Sequence, residues 1–485
     1  MEFIDLFDTT QPEELLRDYC SRAKPGVDKI NYEKFAQDFS KTKTELKNRI
    51  ATNKYKFTRF ELAPKLKTHN KLPRLIFKCT IRDRLVAKLM CVHILEHSDV
   101  TLRRTRSGVL EQIKEALQAN RTDGEKQFNY YLRLDISSYF DSINRSLLRS
   151  QLEHDCYDAS FLHLVDKLFT TMDHSMLIPS GTGVPQGVSV SSLLAERYLL
   201  ELDQKYNRPP YSNFLAFFRY VDDILILLQD EQVLERMRKQ IPFELISTYG
   251  LSVNPDKISD GCLNQNAQVD YLGITLHGRT LEISKNQIKK VEQQLNELFL
   301  QYRRSLKAKN RHLLQANPSR ALAWLIARLN LLITGYTCSR KGSDGQIETV
   351  RYGWIQTSLP RQIQGTDCLK KLDHHVGALI HSYIQASDTQ AVQNRCKSFY
   401  KAYQHCRYKP DSEYIPNLER IAQDPIKMYR LTCDLSLVDL KYGLPYDTDK
   451  VPDNFAEEVG KPLETYFRNT MYIANRNLTS NILYW

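Results

Sequence analysis

The sequence predicts an α+β protein of several domains, and three features of its 485 residues support that class. Short apolar runs at Tyr130 to Leu134, Phe214 to Leu228 and Val269 to Leu276 have the length and composition of strands. Between them lie long stretches such as Ile81 to His97 and Ser284 to Leu314, where apolar residues recur at helical spacing. A hydrophobic fraction of 42%, with 10% aromatic residues, suffices for buried cores, and a chain this long exceeds one typical core.

The chain is organised around Phe214 to Leu228, FLAFFRYVDDILILL, in which two apolar runs flank Asp222 and Asp223. The runs read as two buried strands of a hairpin, with the carboxylates at its tight turn. Like charges that close raise each other's pKa unless a cation neutralises them, and a hard divalent ion is the natural neutraliser. An ordinary Asp-Asp turn in water is the reading a lone hairpin favours, and it is the rest of the chain that turns the balance towards the cation.

Charge is concentrated in one segment. From Lys47 to Lys88 there are 13 Lys and Arg against only Glu61 and Asp83, an excess equal to the +11 of the whole chain. Such a localised excess points to a polyanion, either nucleic acid or a nucleoside triphosphate. Within it, Pro64 to Lys67 and Leu72 to Ile76 read as two short strands joined by a polar turn at Thr68 to Lys71, with their cations projecting. A solvated edge strand would carry the same charges.

Other classes are disfavoured. Ten cysteines show no CxxC spacing, and neither Cys396, His405 and Cys406 nor His93 and His97 complete a zinc pattern, so reduced thiols are expected. The start is acidic without a signal-peptide core, and the most apolar stretch, Ala321 to Ile333, is interrupted by Arg328 and Asn330. A cytoplasmic protein with no membrane partner is expected.

In chain order, Met1 to Ala23 form an acidic, helix-compatible arm, KPGVDKI from Lys24 breaks it, and a helix runs from Tyr32 to Ile50. The helix at Ile81 opens with Arg82, Asp83 and Arg84. The strand Tyr130 to Leu134 ends in Asp135, at the edge where open sheets place ligands, and the next residues turn into a helix near Ser142. PSGTGVPQGVSVSSLLAERYLLELD, from Pro179, is a glycine-rich loop leading into an amphipathic helix. Its glycines fit no dinucleotide fingerprint, and no lysine follows to make a Walker loop. Gln186 and Gly187 at the helix mouth can still lie against a base or sugar.

Further on, Tyr249 to Lys257 offers a turn with one lysine, and the helix from Ser284 to Leu314 carries eight Lys and Arg against two Glu. That excess suits contact with a nucleic-acid backbone. From Ala321 the pattern is mostly helical, broken at Ser339 to Gln346 and at Pro360. Residues 371–485 read as a helical module with a mixed tail, whose Lys, Arg and Tyr suit RNA binding or self-assembly.

An Asp after a strand, a Gly-Gln loop, an Asp-Asp hairpin and a lone Lys together suit nucleotidyl transfer, in which two ions activate a 3′-hydroxyl and stabilise the leaving pyrophosphate. RYVDDIL, LDISSYFDSI and GVPQGVSVSSLLAERYL resemble three active-site motifs of reverse transcriptases, in the same order and spacing. YLGI resembles their primer-side strand, and PGVDKI and RDRLV resemble bacterial group II intron-like enzymes, so the likeness covers about residues 24 to 370.

The resemblance implies a right-hand polymerase with fingers, palm and thumb. It divides the chain into an extension (1–30), fingers (31–130), a palm with interleaved fingers elements (131–280), a helical thumb (281–370) and an added C-terminal helical module (371–485). It makes Asp135, Asp222 and Asp223 the ligands of two Mg2+ ions, with Mn2+ as substitute. It places Lys65, Lys67 and Arg74 on the incoming triphosphate and gives Phe140 the gate that excludes a ribose 2′-hydroxyl. It packs Gln186 and Gly187 on the nucleotide and assigns Lys257 to protonate pyrophosphate. The implied partners are dNTPs, a DNA product and an RNA template, including a dedicated noncoding RNA, with a homo-oligomer or a partner defence protein beside them.

Ser191-Ser192-Leu193-Leu194-Ala195-Glu196 departs from the intron and diversity-generating enzymes and resembles abortive-infection and defence-associated reverse transcriptases, which implies antiphage defence. Some relatives prime on a tyrosine, and the tail carries Tyr466, Tyr472 and Tyr484. The rival readings are a group II intron-like maturase that binds RNA without needing the triad, a template-independent nucleotidyltransferase, a structural scaffold with a dead active site, and an RNA polymerase. A ring at Phe140 argues against the last, since it would exclude the 2′-hydroxyl that such an enzyme recognises.

Overall fold

A computed structural model of the protein describes residues 2–20, 23, 25–65, 74–97, 106–176, 181–265, 267–307, 318–341, 347–359, 363, 365–408 and 414–417. These fall into two units, one of residues up to 97 together with 116–263, the other of 106–115 together with 264–417.

In the first unit, β1 (Glu61–Lys65) and β2 (Arg74–Lys78) pair antiparallel with Lys65 opposite Arg74. The basic hairpin therefore forms, each strand shifted from its expected bounds. Lys67 and the turn Thr68 to Lys71 lie outside the described residues. β3 (Tyr130–Asp135), β4 (Leu215–Tyr220), β5 (Asp223–Leu228) and β6 (Ser259–Cys262) build an antiparallel sheet in the order β4-β5-β3-β6. Ile224 to Leu228 are buried throughout, which is why the central strand β5 reads as an unbroken apolar run. β6 has no apolar alternation to announce it and is made by pairing with β3.

The acidic arm is part of the core. Phe3, Leu6 and Phe7, at i, i+3 and i+4, are buried, and the Phe3 amide donates to Asp158 at 3.0 Å. The helix Ile81–His97 has its expected bounds, but its opening charges are not all solvated. Asp83 is buried and accepts from the Tyr55 hydroxyl at 2.7 Å and the Thr58 amide at 2.8 Å.

Three expected helices are divided. Asp38, at φ −118° and ψ 38°, separates Tyr32–Gln37 from Phe39–Ala51. The helix expected near Ser142 is a single turn, Tyr139–Ser142, followed by Arg145–His154, whose first turn is capped by the Asn144 side chain on the Leu147 amide. The stretch after the glycine loop becomes Ser191–Tyr198 and Leu200–Tyr206, broken where Leu199 leaves helical geometry.

In the second unit, β7 (Gln268–Tyr271), β8 (Ile274–His277) and β9 (Thr280–Ile283) form a three-stranded antiparallel sheet. The single strand expected from Val269 to Leu276 is thus a hairpin. Leu272 and Gly273, at φ +48° and +75°, reverse the chain in its middle, a conformation natural to glycine and strained for leucine.

The helices Lys285–Lys307 and Pro318–Thr334 follow. Where mostly helix was expected, β10 (Tyr336–Lys341) and β11 (Ile347–Tyr352) pair antiparallel. Tyr336 stacks on Tyr352 with ring centroids 5.0 Å apart, and aromatic and β-branched residues on both arms favour the pleated form over the helix. The helices Asp367–Tyr383, Ala386–Arg395 and Phe399–Tyr408 come next. Pro360 and the tail tyrosines Tyr466, Tyr472 and Tyr484 lie outside the described residues. Among the described residues no helix is long and apolar enough to cross a membrane.

Candidate active site

Asp135 ends β3 directly opposite Asp223, the first residue of β5. The hairpin turn is tied to the same place, since the Ile136 amide donates to the Asp222 carbonyl at 2.9 Å. A third segment joins through the Asn254 amide, which donates to the Asp135 carbonyl at 2.8 Å. The single-turn helix that follows delivers Lys257, whose Nζ lies 2.7 Å from both carboxylate oxygens of Asp135.

Strand parity puts Arg133 on the same face as Asp135. Its Nε and Nη2 donate to the two oxygens of Asp223, each at 3.1 Å. Burial nevertheless pushes the Asp223 carboxyl up to about 6, with Arg133 opposing and the charges of Asp135 and Asp222 adding to the rise. Asp222 is raised by burial and by Asp135, while Lys257 and Arg74 pull it down. Arg74 of β2 is therefore within electrostatic reach of the turn.

The turn needs support because Val221 sits at φ +60°, which is uncommon for a β-branched residue. Arg219 supplies it. Its Nη1 donates to the Val221 carbonyl at 2.9 Å, its Nε and Nη2 grip Asp203 at 2.8 and 2.6 Å, and Nη2 also reaches Glu196 at 2.9 Å. The guanidinium is wholly buried. Burial alone would lower its pKa, but Asp203 and Glu196 outweigh that and hold it well above its ordinary value.

The Gln186 carbonyl accepts from the Phe77 amide of β2 at 2.7 Å, and its Nε2 donates to Asp141 at 3.0 Å. Gly187, at φ +101°, packs so closely on β2 that a Cβ there would lie 2.6 Å from Ile76 Cγ2. Phe140 is partly buried against the core, and its carbonyl accepts from the Val184 amide at 2.8 Å. The loop is thus fastened between β2 and the turn that bears Phe140. Lys65 stands opposite Arg74 by backbone register, its side chain outside the described residues, and Lys67 lies outside them altogether.

Of the residues read from the sequence, the structure brings Asp135, Asp222, Asp223, Lys257 and Arg74 together at one end of the sheet. Arg133, Arg219, Asp203 and Glu196 join them without having been read as site residues. Only Arg133 carried a local signal, two positions before Asp135 on a strand. As the side chains stand, no three His, Cys, Asp or Glu among the described residues gather tightly enough to ligate one ion. The oxygen donors nonetheless fit a hard divalent cation, and Asp222 and Asp223 are raised by burial and by neighbouring carboxylate charge, both of which such a cation would offset. Two of the three carboxylates are held by Lys257 and Arg133 instead.

Residues 64–276, which span this sheet, match the family described as reverse transcriptase (RNA-dependent DNA polymerase). The chain carries a reverse transcriptase domain. The α+β class expected from the sequence stands, as a right-hand polymerase fold. Protein YkfC of Escherichia coli (strain K12) is 27% identical to this chain over 216 residues, which cover 36% of the chain and 56% of the relative. The match thus spans little more than half of that curated relative. Similar solved structures include telomerase from Candida albicans in complex with a telomeric RNA fragment (12% identity, TM-score 0.37, covering 78% of this chain and 64% of that one). Apo telomerase from Candida tropicalis is another (11% identity, TM-score 0.33, covering 88% and 77%).

Proposed function

We propose that the protein is an RNA-directed DNA polymerase that adds dNTPs to a 3′-hydroxyl or a protein primer and acts in bacterial antiphage defence. The observation that carries this reading is the facing pair Asp135 and Asp223 on the two central strands, with Asp222 at the turn beside them. Two Mg2+ ions, or Mn2+ in their place, would supply Lewis acidity for the attacking hydroxyl and the leaving pyrophosphate. Asp135, Asp222 and Asp223 would hold them.

The remaining roles belong to the chain's own side chains. Arg74, with Lys65 and Lys67, binds the triphosphate, and the Gln186-Gly187 loop presents a close backbone surface to the nucleotide. Phe140 excludes a 2′-hydroxyl. Lys257 gives a proton to the departing pyrophosphate after leaving Asp135. Residues 31–130 serve as fingers, 131–280 as palm and 281–370 as thumb. The defence role rests on the Ala195-Glu196 form of the glutamine motif.

Primer extension by the purified full chain tests the activity. Incorporation of dNTPs that requires an RNA template supports it. Equal incorporation without any template would mean a template-independent nucleotidyltransferase. For the defence role, phage plating on cells carrying the wild-type or the Asp135→Asn gene is decisive, and equal plating efficiency removes it.

A further inference from the structure

From residue 389 to 410 the chain contains no acid, while Arg395, Lys397, Lys401, Arg407 and Lys409 supply five cations. The helix Phe399–Tyr408 lies in this stretch. Phe399, Ala402 and Tyr403 are buried and turn one side of it to the core. Tyr400, Gln404 and Tyr408, at i, i+4 and i+8, line another side over about 12 Å. Tyr408 is 62% exposed.

Each aromatic ring along this side carries a cation. Lys370 Nζ lies 5.2 Å from the Tyr400 centroid, the Arg407 guanidinium 4.7 Å from that of Tyr408, and Lys397 Nζ 4.4 Å from that of Tyr414. His405 stacks on Tyr414 at 4.4 Å and 6°, and its buried Nδ1 has no hydrogen-bond partner among the described residues.

Lys397 is half-buried, and burial lowers its pKa. No carboxylate among the described residues pairs with it. The nearby acid, Asp373, spends its oxygens capping the helix, accepting from the Ser398 hydroxyl at 2.6 Å and the Phe399 and Tyr400 amides at 2.7 and 3.3 Å. Asp367 pairs with Lys370 at 3.1 Å on the exposed rim. Among the described residues the surface is therefore cationic, ringed with aromatics, and includes a partly desolvated ammonium that no anion pairs with.

We infer that the face of the helix Phe399–Tyr408, completed by Lys397 and Tyr414, is a binding surface for single-stranded RNA. An unpaired base stacks on the exposed ring of Tyr408, and the cations along the surface meet the phosphates. A duplex would offer only phosphates and leave the tyrosines unused. The choice of RNA rests on the proposed template, but the surface retains the strand and takes no part in chemistry.

The test is fluorescence anisotropy of the full chain with a single-stranded RNA of about 15 nucleotides. Tyr408→Ala is expected to weaken binding about five-fold or more, while Tyr408→Phe, which keeps the ring, binds as wild type. Replacing both Lys397 and Arg407 by Gln is expected to flatten the dependence of log K on log salt by about 1.4. Extension of a short annealed primer and template should be unchanged in Tyr408→Ala.

Wild-type affinity in Tyr408→Ala overturns the proposal, and so does an equal loss of affinity for a blunt RNA duplex. Tyr408 is exposed, so its replacement tests the surface even where the Lys397 variant fails to fold. A protein that extends no primer, yet loses RNA affinity in Tyr408→Ala, would defeat the polymerase reading and leave this surface standing.

Discussion

Arg219 Nη1 donates to the carbonyl of Val221 at 2.9 Å, linking a buried ion cluster to the turn that carries Asp222. Asp203 and Glu196 hold the guanidinium from the other side, so its position is set by two carboxylates on neighbouring helices. The strained φ of Val221 persists because this network over-determines it.

Breaking that cluster should separate stability from catalysis. Arg219→Ala removes the guanidinium that grips buried Asp203 and is expected to cost about 3–5 kcal/mol in unfolding free energy. Arg219→Lys keeps the charge but cannot reach Asp203, Glu196 and the Val221 carbonyl at once. Its kcat should fall at least ten-fold, about 1.4 kcal/mol, with KM for dNTP little changed. A lysine variant that melts early but keeps wild-type kcat would show that Arg219 serves the core alone.

The raised carboxyl of Asp223 predicts a pH signature. Its pKa of about 6 when folded exceeds the ordinary 3.8, so the folded state binds this proton more tightly than the unfolded chain does. That contribution to stability is gained as the pH falls from about 6 towards 4 and is lost as it rises through 6. A divalent ion held there would compete with the same proton. Added Mg2+ should therefore raise the melting temperature more near pH 7.5 than near pH 5, and Asp223→Asn should shrink the difference. Equal shifts at the two pH values would contradict this.

Sugar choice should depend on Phe140, which is held by the Val184 amide on its carbonyl beside the glutamine loop. Overpacking a rigid pocket with one oxygen costs about 1–3 kcal/mol, or roughly one to two orders of magnitude in rate. Phe140→Ala is accordingly expected to raise rNTP use relative to dNTP use by about ten-fold or more, measured as a ratio of kcat/KM on one primer and template. An unchanged ratio would make Phe140 a core aromatic and reopen the RNA polymerase reading.

The hairpin at Asp222, the strand ending in Asp135 and the helix Ile81–His97 were legible because each is announced by a local run of apolar residues. Arg219 was not, because an arginine in a strand reads as a solvated cation unless its carboxylates are known, and Asp203 and Glu196 lie 16 and 23 positions away. Lys257 was legible as a lone cation but not as the partner of Asp135, from which 122 positions separate it. β6 exists only through its partner strand. The reversal at Leu272 and Gly273 had a signal in its glycine, outweighed by the continuous apolar pattern around it.

The most direct test measures dNTP incorporation on an RNA template by purified Asp135→Asn and Asp222→Asn beside the wild type, with Mg2+ and then Mn2+. Both substitutions nearly preserve shape while removing the charge that would hold the ions. The account predicts that both variants stay folded and incorporate nothing detectable with either metal. Undiminished incorporation by either folded variant would contradict it.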